Sequence, residues 1–110
     1  TLFSVHPKFK IPADSRIACL DADKIIFPLT LRNWQIGDYF YPLGMKRNKK
    51  KLSDYFTDQK FGTKQKQDCL LLVSKGEIAW VVGHRPDERF KITPFTQNIL
   101  MVALQNKEEA

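Results

Sequence analysis

Two short apolar runs in the second half of the chain predict the centre of the fold. Residues 69–73 and 77–82 are apolar and rich in β-branched side chains, and Ser74, Lys75 and Gly76 lie between them. Continuous apolar runs bounded by turn residues are typical of strands that are buried on both faces. We therefore predict a central β-hairpin in which Gly76 takes a positive φ.

Further short strands are predicted on both sides of this hairpin. Pro28 lies inside one of them and places it at a sheet edge or beside a bulge, because proline has no N–H to donate to a neighbouring strand. The last apolar run, residues 96–104, is either a strand or a helix, since no polar residue interrupts residues 100–104. The other strands are expected at residues 16–20, 24–31, 39–41 and 89–93, and a short helical turn at residues 63–67.

A helix is predicted directly after a run of basic residues. Leu52, Tyr55 and Phe56 have the i, i+3, i+4 spacing of one apolar helix face. Ser53 or Asn48 could cap the first turn, because both side chains accept hydrogen bonds from free backbone N–H groups.

The chain has the size of one domain. Its 110 residues, of which 43% are hydrophobic, can bury roughly two-thirds of the unfolded surface. We expect the domain at residues 16–105, after an extended initial segment at residues 1–15 and before a frayed tail at residues 106–110. The first residue is Thr1 rather than methionine, so the chain is expected to be part of a longer protein.

The sequence does not point to a membrane or to secretion. No apolar run approaches the roughly 20 residues that span a bilayer, and the N-terminus lacks a signal-peptide pattern. The two cysteines are far apart and outside any CxxC motif, which fits reduced thiols better than a disulfide framework. A cytoplasmic location is therefore expected.

The net charge of the chain comes from one window. Residues 46–66 hold eight basic and two acidic side chains, whereas the rest of the chain holds ten of each, so the window carries the whole formal charge of +6. Such localised charge produces a directed field. Cations beside the free N–H groups of a helix start are typical of a phosphate site, and a solvated loop without a partner is the alternative. The basic residues are Lys46, Arg47, Lys49, Lys50, Lys51, Lys60, Lys64 and Lys66.

Familiar catalytic motifs are absent from the sequence. It contains none of the patterns GxxxxGK(S/T), GxGxxG, HExxH or GxSxG. Asp54 and Asp58 have i, i+4 spacing, and we interpret them as charge balance among the lysines rather than as a catalytic pair. The two histidines and two cysteines include no closely spaced pair, which disfavours a zinc site.

Two arginines beyond the central hairpin could enlarge a phosphate-binding surface. They are Arg85 and Arg89, and in the competing interpretation Arg85 pairs with Asp87 to brace a turn. Four aromatic residues could stack on nucleobases, although aromatic residues in strands are more often part of the core. These four are Trp34, Tyr39, Tyr41 and Trp80.

A series of short motifs runs through the chain in a specific order. The series reads LDAD at residues 20–23, PLTLRNW at 28–34, GD at 37–38, PLGM at 42–45, KKLSDYF at 50–56 and IAWVVG at 78–83, with Asp58, Lys60 and Arg85. In this order the motifs resemble the C-terminal domain of the tRNA(Ile)-lysidine synthetase family, over about residues 17–96.

The resemblance implies a fold and an origin for the chain. The family's C-terminal domain has an α+β fold, with a mostly antiparallel, β-sandwich-like core and one or two short helices. The parent enzyme is an ATP-dependent ligase that joins lysine to the wobble cytidine of an isoleucine tRNA with a CAU anticodon. That chemistry, with its ATP and Mg, belongs to an N-terminal domain whose SGGxDS loop is absent from this sequence. The resemblance therefore implies a non-catalytic fragment without a cofactor or metal of its own.

The resemblance also implies partners. They are tRNA, whose acceptor end this domain contacts in the family, and the chain's own N-terminal catalytic domain. A homodimer is a further candidate, which the apolar strands suggest and not the resemblance. The chain departs from many members of the family, which carry glycine near Arg47 or Asn48. The candidate RNA contacts are Lys46, Arg47, Lys49, Lys50, Lys51, Ser53, Lys60, Lys64, Lys66, Arg32 and Arg85.

Two other functions stay open on the sequence alone. The first is a generic duplex-RNA-binding module, in which the same basic residues contact phosphates without selecting a tRNA. The second is a structural or dimerisation domain, in which the central hairpin or the last strand pairs with a neighbour and the lysines are only solvated.

Overall fold

Short strands account for most of the regular structure. The computed structural model of the chain describes residues 2–4 and 10–105. Two α-helices, α1 (Leu52–Asp58) and α2 (Thr63–Asp68), lie between the fifth and sixth strands of this described part. Its strands are β1 (Leu2–Ser4), β2 (Ile17–Asp21), β3 (Leu29–Asn33), β4 (Tyr39–Phe40), β5 (Lys50–Lys51), β6 (Leu70–Ser74), β7 (Glu77–Val81), β8 (Arg85–Pro86) and β9 (Asn98–Ala103).

The strands form three antiparallel sheets. The first has the order β1-β9-β2, the second has the order β3-β6-β7-β8, and the third consists of β4 and β5. The first two sheets pack face to face, since Ala18 and Leu20 of β2 share a buried cluster with Leu72 of β6 and Trp80 of β7. The expected α+β fold with a mostly antiparallel, sandwich-like core is confirmed.

Helix α1 covers the other face of the second sheet. Its apolar stripe of Leu52, Tyr55 and Phe56 is buried, as predicted, and packs with Leu71 of β6 and Val81 of β7. The hairpin strands are therefore covered on both faces, which explains their continuous apolar character. Burial of each large side chain contributes roughly 1.5 to 3 kcal/mol.

The central hairpin is confirmed, with one irregularity. Gly76 has a φ of +81°, as its place in the turn requires. The register shifts between Leu72 and Val73, which leaves Ala79 of β7 as the extra residue of a β-bulge. The carbonyl of Ala79 accepts a hydrogen bond from the N–H of Asp87 over 2.9 Å. The bulge therefore connects the hairpin to the segment that follows β8.

The strand predicted at residues 24–31 begins later than expected. A 3-10 turn covers Ala22–Lys24 because the side chain of Asp21 accepts the N–H of Asp23 and ends β2. Strand β3 then begins after the cis peptide bond between Phe27 and Pro28. Its position at the end of the second sheet confirms the predicted sheet edge.

The strand predicted at residues 89–93 is wrong. Glu88–Phe90 forms a 3-10 turn, which the Oδ1 atom of Asp87 caps by accepting the N–H of Arg89 over 2.7 Å. The local hydrogen bond to the Asp87 side chain therefore stabilises a turn in place of the expected strand. The last apolar run is a strand, β9, and it lies between β1 and β2 in the first sheet.

The predicted caps of α1 are also wrong. Strand β5 runs directly into the helix, so Lys51 occupies the N-cap position and makes no side-chain cap. The N–H of Leu52 instead donates to the backbone carbonyl of Asp38 over 2.9 Å. Neither Ser53 nor Asn48 caps the helix.

The two ends of the chain are only partly described. Strand β1 lies inside the predicted initial segment and pairs with β9. Residues 1 and 5–9 of that segment, and the predicted frayed tail at residues 106–110, are outside the described residues. Of the helices in residues 2–4 and 10–105, none has the length and apolarity that crossing a bilayer requires.

Candidate nucleic-acid interface

The basic window, residues 46–66, begins in the hairpin of the third sheet, between strands β4 and β5. We call residues 45–51 the basic loop. Its last two residues form β5, where Lys51 faces Tyr39 and Lys50 faces Phe40. Phe40 is fully buried, and its ring lies 5.2 Å from that of Tyr55 in α1. Strand β4 therefore attaches the hairpin to the core, while most of the loop is exposed.

A tight turn opens the basic loop. The N–H of Asn48 donates to the carbonyl of Met45 over 3.0 Å, and Lys46 and Arg47 have φ values of +53° and +61°. This left-handed conformation costs a residue with a side chain roughly 1–2 kcal/mol, and glycine avoids the cost. The glycine expected near Arg47 in the family fits this geometry, whereas this chain places two exposed cations in the turn.

Two adjacent carboxylates hold the chain just before the basic loop, and we call Asp87 and Glu88 the carboxylate clamp. The Oδ2 atom of Asp87, which is fully buried, accepts the N–H of Tyr41 over 2.9 Å. The N–H of Glu88 donates to the carbonyl of Tyr41 over 2.6 Å. The Oε1 atom of Glu88 accepts the N–H of Gly44 over 3.1 Å. The clamp therefore fixes the backbone at both ends of residues 41–44.

Both carboxylates of the clamp have cationic partners. Arg89 donates from Nε to Oδ1 of Asp87 and from Nη2 to Oδ2, each over 3.0 Å. Glu88 pairs with the ammonium of Lys91. Lys91, the N–H of Gly44 and the charge of Arg47 hold the pKa of Glu88 below its usual value. Hydrogen-bonded partners of this kind favour the charged form of Glu88.

Most cations of the basic loop are unpaired. Lys46, Arg47, Lys49 and Lys51 are exposed and make no ion pair with any described residue. Lys50 is half-buried and pairs with Asp58 at the end of α1. The structure therefore brings together, on one exposed loop, four cations that have no ion-pair partner among the described residues, and the fifth is held against the helix.

The remaining basic residues of the window lie on or beside the helices. Lys60, with a φ of +59°, is exposed just after α1. On α2, Lys66 is half-buried and Lys64 lies 3.3 Å from Asp68. An exposed pair such as Lys64 with Asp68 contributes only about 0 to 1 kcal/mol, so it does not prevent Lys64 from meeting another anion.

Arg32 supports the hairpin. Its guanidinium donates two hydrogen bonds to the carboxylate of Asp38, over 2.8 and 3.0 Å. These bonds hold the pKa of Asp38 below its usual value. The backbone carbonyl of the same aspartate accepts the N–H of Leu52. Arg32 therefore braces the turn before β4 and the start of α1, and a direct contact of Arg32 with RNA stays a prediction.

The competing interpretation, in which Arg85 pairs with Asp87, is wrong for the described residues. Asp87 pairs with Arg89, whose guanidinium also lies 2.8 Å from Glu77 and 4.5 Å from the ring centroid of Tyr41. Arg89 is therefore occupied by groups of the same chain. Arg85 is half-buried in β8 and makes no ion pair within the described residues.

The first turn of α1 presents fewer free backbone N–H groups to a phosphate than the sequence suggested. Ser53 is exposed in the first turn, and its carbonyl accepts the hydroxyl of Thr57 over 3.0 Å. The first N–H of the helix, from Leu52, is already bonded to Asp38. The cations of the loop, more than the helix start, are therefore the groups that an approaching phosphate would meet.

The four aromatic candidates have different environments. Trp80 is buried in the core, and Trp34 is half-buried with its ring 5.1 Å from that of Phe56. Tyr41 is half-buried beneath Arg89. Tyr39 is 40% exposed. Of these four, the structure leaves Tyr39 as the residue that could stack on a base.

The chain is similar to known proteins over most of its length. The family described as "TilS substrate C-terminal domain" matches residues 29–103. The tRNA(Ile)-lysidine synthase of Parabacteroides distasonis is 53% identical over 94 residues, which are 86% of this chain and 21% of that protein. The tRNA(Ile)-lysidine synthase of Bacteroides thetaiotaomicron is 44% identical over 95 residues, which are 86% of this chain and 22% of that protein. The chain thus spans about a fifth of the length of these relatives.

Two solved structures have a similar fold. A crystal structure of a TilS C-terminal domain superposes with a TM-score of 0.72 at 18% identity, covering 96% of this chain and 82% of that one. An N-terminal fragment of the phenylalanyl-tRNA synthetase β-subunit from Pyrococcus horikoshii superposes with a TM-score of 0.65 at 25% identity, covering 77% and 26%. These structural similarities agree with the sandwich-like core, and the sequence matches identify the family. The chain belongs to the family of TilS substrate C-terminal domains.

Proposed function

We propose that this chain is the tRNA-docking domain of a tRNA(Ile)-lysidine synthetase and that it holds the acceptor end of the tRNA. The observation that carries the proposal is the basic loop. Four of its cations make no ion pair with the part of the chain that the structure describes, and they extend from a hairpin held by the carboxylate clamp. The relatives support the kind of RNA, because each of them is a tRNA(Ile)-lysidine synthase.

The chemistry of the loop suits duplex RNA. The major groove of A-form RNA is too narrow and deep for side chains, so proteins dock on phosphates, 2′-hydroxyls and shape. Lys46, Arg47, Lys49 and Lys51 can each neutralise a phosphate without reading a base. Three to five such contacts predict that log affinity falls with log salt at a slope of roughly −3 to −4.5. The candidates that extend this surface are Lys50, Ser53, Lys60, Lys64, Lys66, Arg32 and Arg85.

The proposed parent enzyme carries its chemistry in another domain. That N-terminal catalytic domain binds ATP and Mg and joins lysine to the wobble cytidine of an isoleucine tRNA with a CAU anticodon, in the cytoplasm. The present domain has no catalytic role in this proposal. By binding weakly at a distance from the anticodon, it raises the effective concentration of the tRNA at the catalytic site.

A titration with RNA at two salt concentrations tests docking. We expect the domain to bind an isoleucine tRNA with a dissociation constant of about 10⁻⁴ to 10⁻⁶ M near physiological salt, and more tightly at 50 mM salt. Filter binding or fluorescence anisotropy at the two salt concentrations gives the slope. No binding at low salt would contradict the proposal and leave a structural role.

A second titration tests which part of the tRNA is held. The domain should bind an acceptor-stem hairpin about as tightly as the whole tRNA and an anticodon hairpin of equal length more weakly. Equal affinity for both hairpins would favour the generic duplex-RNA module, since phosphate contacts alone do not distinguish the two arms.

The strand order does not fit the contacts that a structural or dimerisation domain would make through the central hairpin or the last strand. Strand β6 lies between β3 and β7, β7 lies between β6 and β8, and β9 lies between β1 and β2. An interior strand has no free edge to pair with a second copy. The central hairpin and the last strand are therefore unsuited to the edge-to-edge dimer considered from the sequence.

A further inference from the structure

An exposed aromatic ring stands beside the basic loop. Tyr39 faces Lys51 across the hairpin, and Lys49 lies just before β5, two residues from Lys51. The ammonium of Lys49 lies 4.0 Å from the centroid of the Tyr39 ring. An exposed aromatic ring among cations is typical of surfaces on which unpaired bases stack.

The ring of Tyr39 packs against the ring of Tyr41. The ring of Tyr41 meets it edge-on, with the centroids 6.1 Å apart and the planes at 79°. Arg89 covers the Tyr41 ring at 4.5 Å and is itself held by the buried carboxylate of Asp87. Tyr39 is therefore positioned by the same clamp that holds the basic loop, which reduces the entropy lost on stacking.

A recess of about 120 Å³ adjoins the ring, and its lining includes Asp38, Glu77 and Arg89. Gly37 and Gly76 form an open part of it, because no heavy atom beyond their immediate chain neighbours lies within 4 Å of the place where a Cβ atom would be. The Oε2 atom of Glu77 accepts a hydrogen bond from Arg89, whereas no described residue donates to Oε1. That free carboxylate oxygen can accept from an amino group or a hydroxyl.

We propose that the Tyr39 ring and this recess bind one unpaired nucleotide of the RNA that the basic loop docks. The inference rests on the proposed function and extends it from duplex phosphates to a single base. The base takes the place of the Lys49 ammonium on the ring, and the ammonium then pairs with the phosphate of that nucleotide. Glu77 accepts a hydrogen bond from the amino group of the base or from the 2′-hydroxyl.

Stacking of a base on the Tyr39 ring is expected to be stronger than the Lys49 cation–π contact that it replaces. An exposed cation–π contact is worth a factor of roughly 2 to 5 in an equilibrium constant. Stacking of a base on an aromatic side chain is worth roughly 5 to 150. The lysine also regains an ionic partner after it leaves the ring. A nucleotide supplies all three groups that the site matches: a flat ring, a hydrogen-bond donor and an adjacent phosphate.

The test compares two RNA hairpins with the same duplex, one blunt and one with three unpaired 3′ nucleotides. The overhang should tighten binding to the wild-type domain about 5- to 50-fold. Tyr39→Leu should abolish this difference while changing affinity for the blunt hairpin no more than about 5-fold, the value of the lost cation–π contact. Tyr39→Phe is the matched control and should retain the preference for the overhang.

NMR provides a readout that does not depend on a variant. The ring protons of Tyr39 should shift upfield on addition of the overhang hairpin and not on addition of the blunt one. Equal wild-type affinity for the two hairpins, without that shift, would overturn the nucleotide site and leave the docking function intact. A Tyr39→Leu variant that lost affinity equally for both hairpins would also overturn it, because the ring would then only position Lys49. Failure of both hairpins to bind would instead contradict the proposed function itself.

Discussion

The molecule contains two hairpins that are built in opposite ways. The β6–β7 hairpin has five residues in each strand and is covered by apolar side chains on both faces. The β4–β5 hairpin has two residues in each strand and carries a long exposed loop. The first is held by burial of most of its own side chains. The second has one buried anchor, Phe40, and is otherwise held by polar groups around it, Asp38 and the carboxylate clamp.

This difference separates stability from the proposed binding. Most cations of the basic loop are exposed, so they contribute little to folding and are available to a ligand. The loop nevertheless needs a defined position, and two buried carboxylates provide it without using the loop's own side chains. Substitutions in the first hairpin should therefore reduce stability, and substitutions in the second should reduce RNA affinity, with the clamp affecting both.

The largest loss of stability is expected in the apolar hairpin. Leu71→Ala removes a fully buried side chain and should lower the free energy of unfolding by about 2–5 kcal/mol. Urea denaturation followed by circular dichroism measures the change. Leu31→Ala on the edge strand is the control, and because Leu31 is 60% exposed it should cost less than about 0.5 kcal/mol. Similar losses for both variants would contradict the two-layer core.

The clamp should show a smaller loss of stability together with weaker RNA binding. Asp87→Asn keeps the shape of the side chain but removes the charge that pairs with Arg89, and it should cost about 1–3 kcal/mol. RNA affinity should also fall while the salt slope stays the same, because no cation of the loop is lost. Asp54→Asn, at an exposed position in α1, is the matched control for charge and should leave both quantities nearly unchanged. Unchanged RNA affinity of folded Asp87→Asn would show that the clamp does not position the loop.

The second carboxylate of the clamp predicts a pH dependence. The pKa of Glu88 is lowered in the folded protein, so its stabilising effect is present above the ordinary glutamate pKa of about 4.3 and is lost as the pH falls through the lower folded value. Glu88→Gln should therefore be less stable than the wild type at pH 7, and the two curves should converge toward pH 3. Urea titrations at several pH values measure the difference, and a gap that stays constant down to pH 3 would contradict this origin.

The smallest loss of stability is expected in the basic loop. Lys49, Lys50 and Lys51 changed together to alanine should lower stability by at most about 2 kcal/mol, since only an exposed cation–π contact and one ion pair are lost. RNA binding should weaken, and the magnitude of the salt slope should fall by roughly 2 to 3. Lys10, Lys24 and Lys75 changed together to alanine remove the same charge elsewhere and should affect binding much less. Equal weakening by both triple variants would show that net charge, and not the loop, attracts the RNA.

Sequence periodicity was sufficient for the elements whose contacts are local or apolar. The β6–β7 hairpin and the stripe of Leu52, Tyr55 and Phe56 follow directly from spacing, because burial imposes a period on side chains. The 3-10 turn at Glu88–Phe90 was missed because one side-chain bond from Asp87 outweighs the apolar pattern that follows it.

The candidate site was predictable in position but not in detail. The charge window located the basic loop, since an excess of lysine is visible without a structure. The clamp joins residues about 45 positions apart, and no local pattern reveals that Asp87 is a buried acceptor for Tyr41. Likewise, the ion pairs that occupy Arg32 and Lys50 depend on partners that only the fold brings near.

The two fixed ends of the β4–β5 hairpin make the segment between them replaceable. Residues up to Gly44 are anchored by Glu88, and β5 pairs with β4 and continues into α1. Insertions or deletions within residues 45–49 would alter the contacts of the loop itself and its closure entropy, which grows slowly with length, but not the buried core. Paralogous proteins could therefore differ in loop length and cation number here while retaining the same scaffold, and a foreign RNA-binding peptide could be grafted at this point.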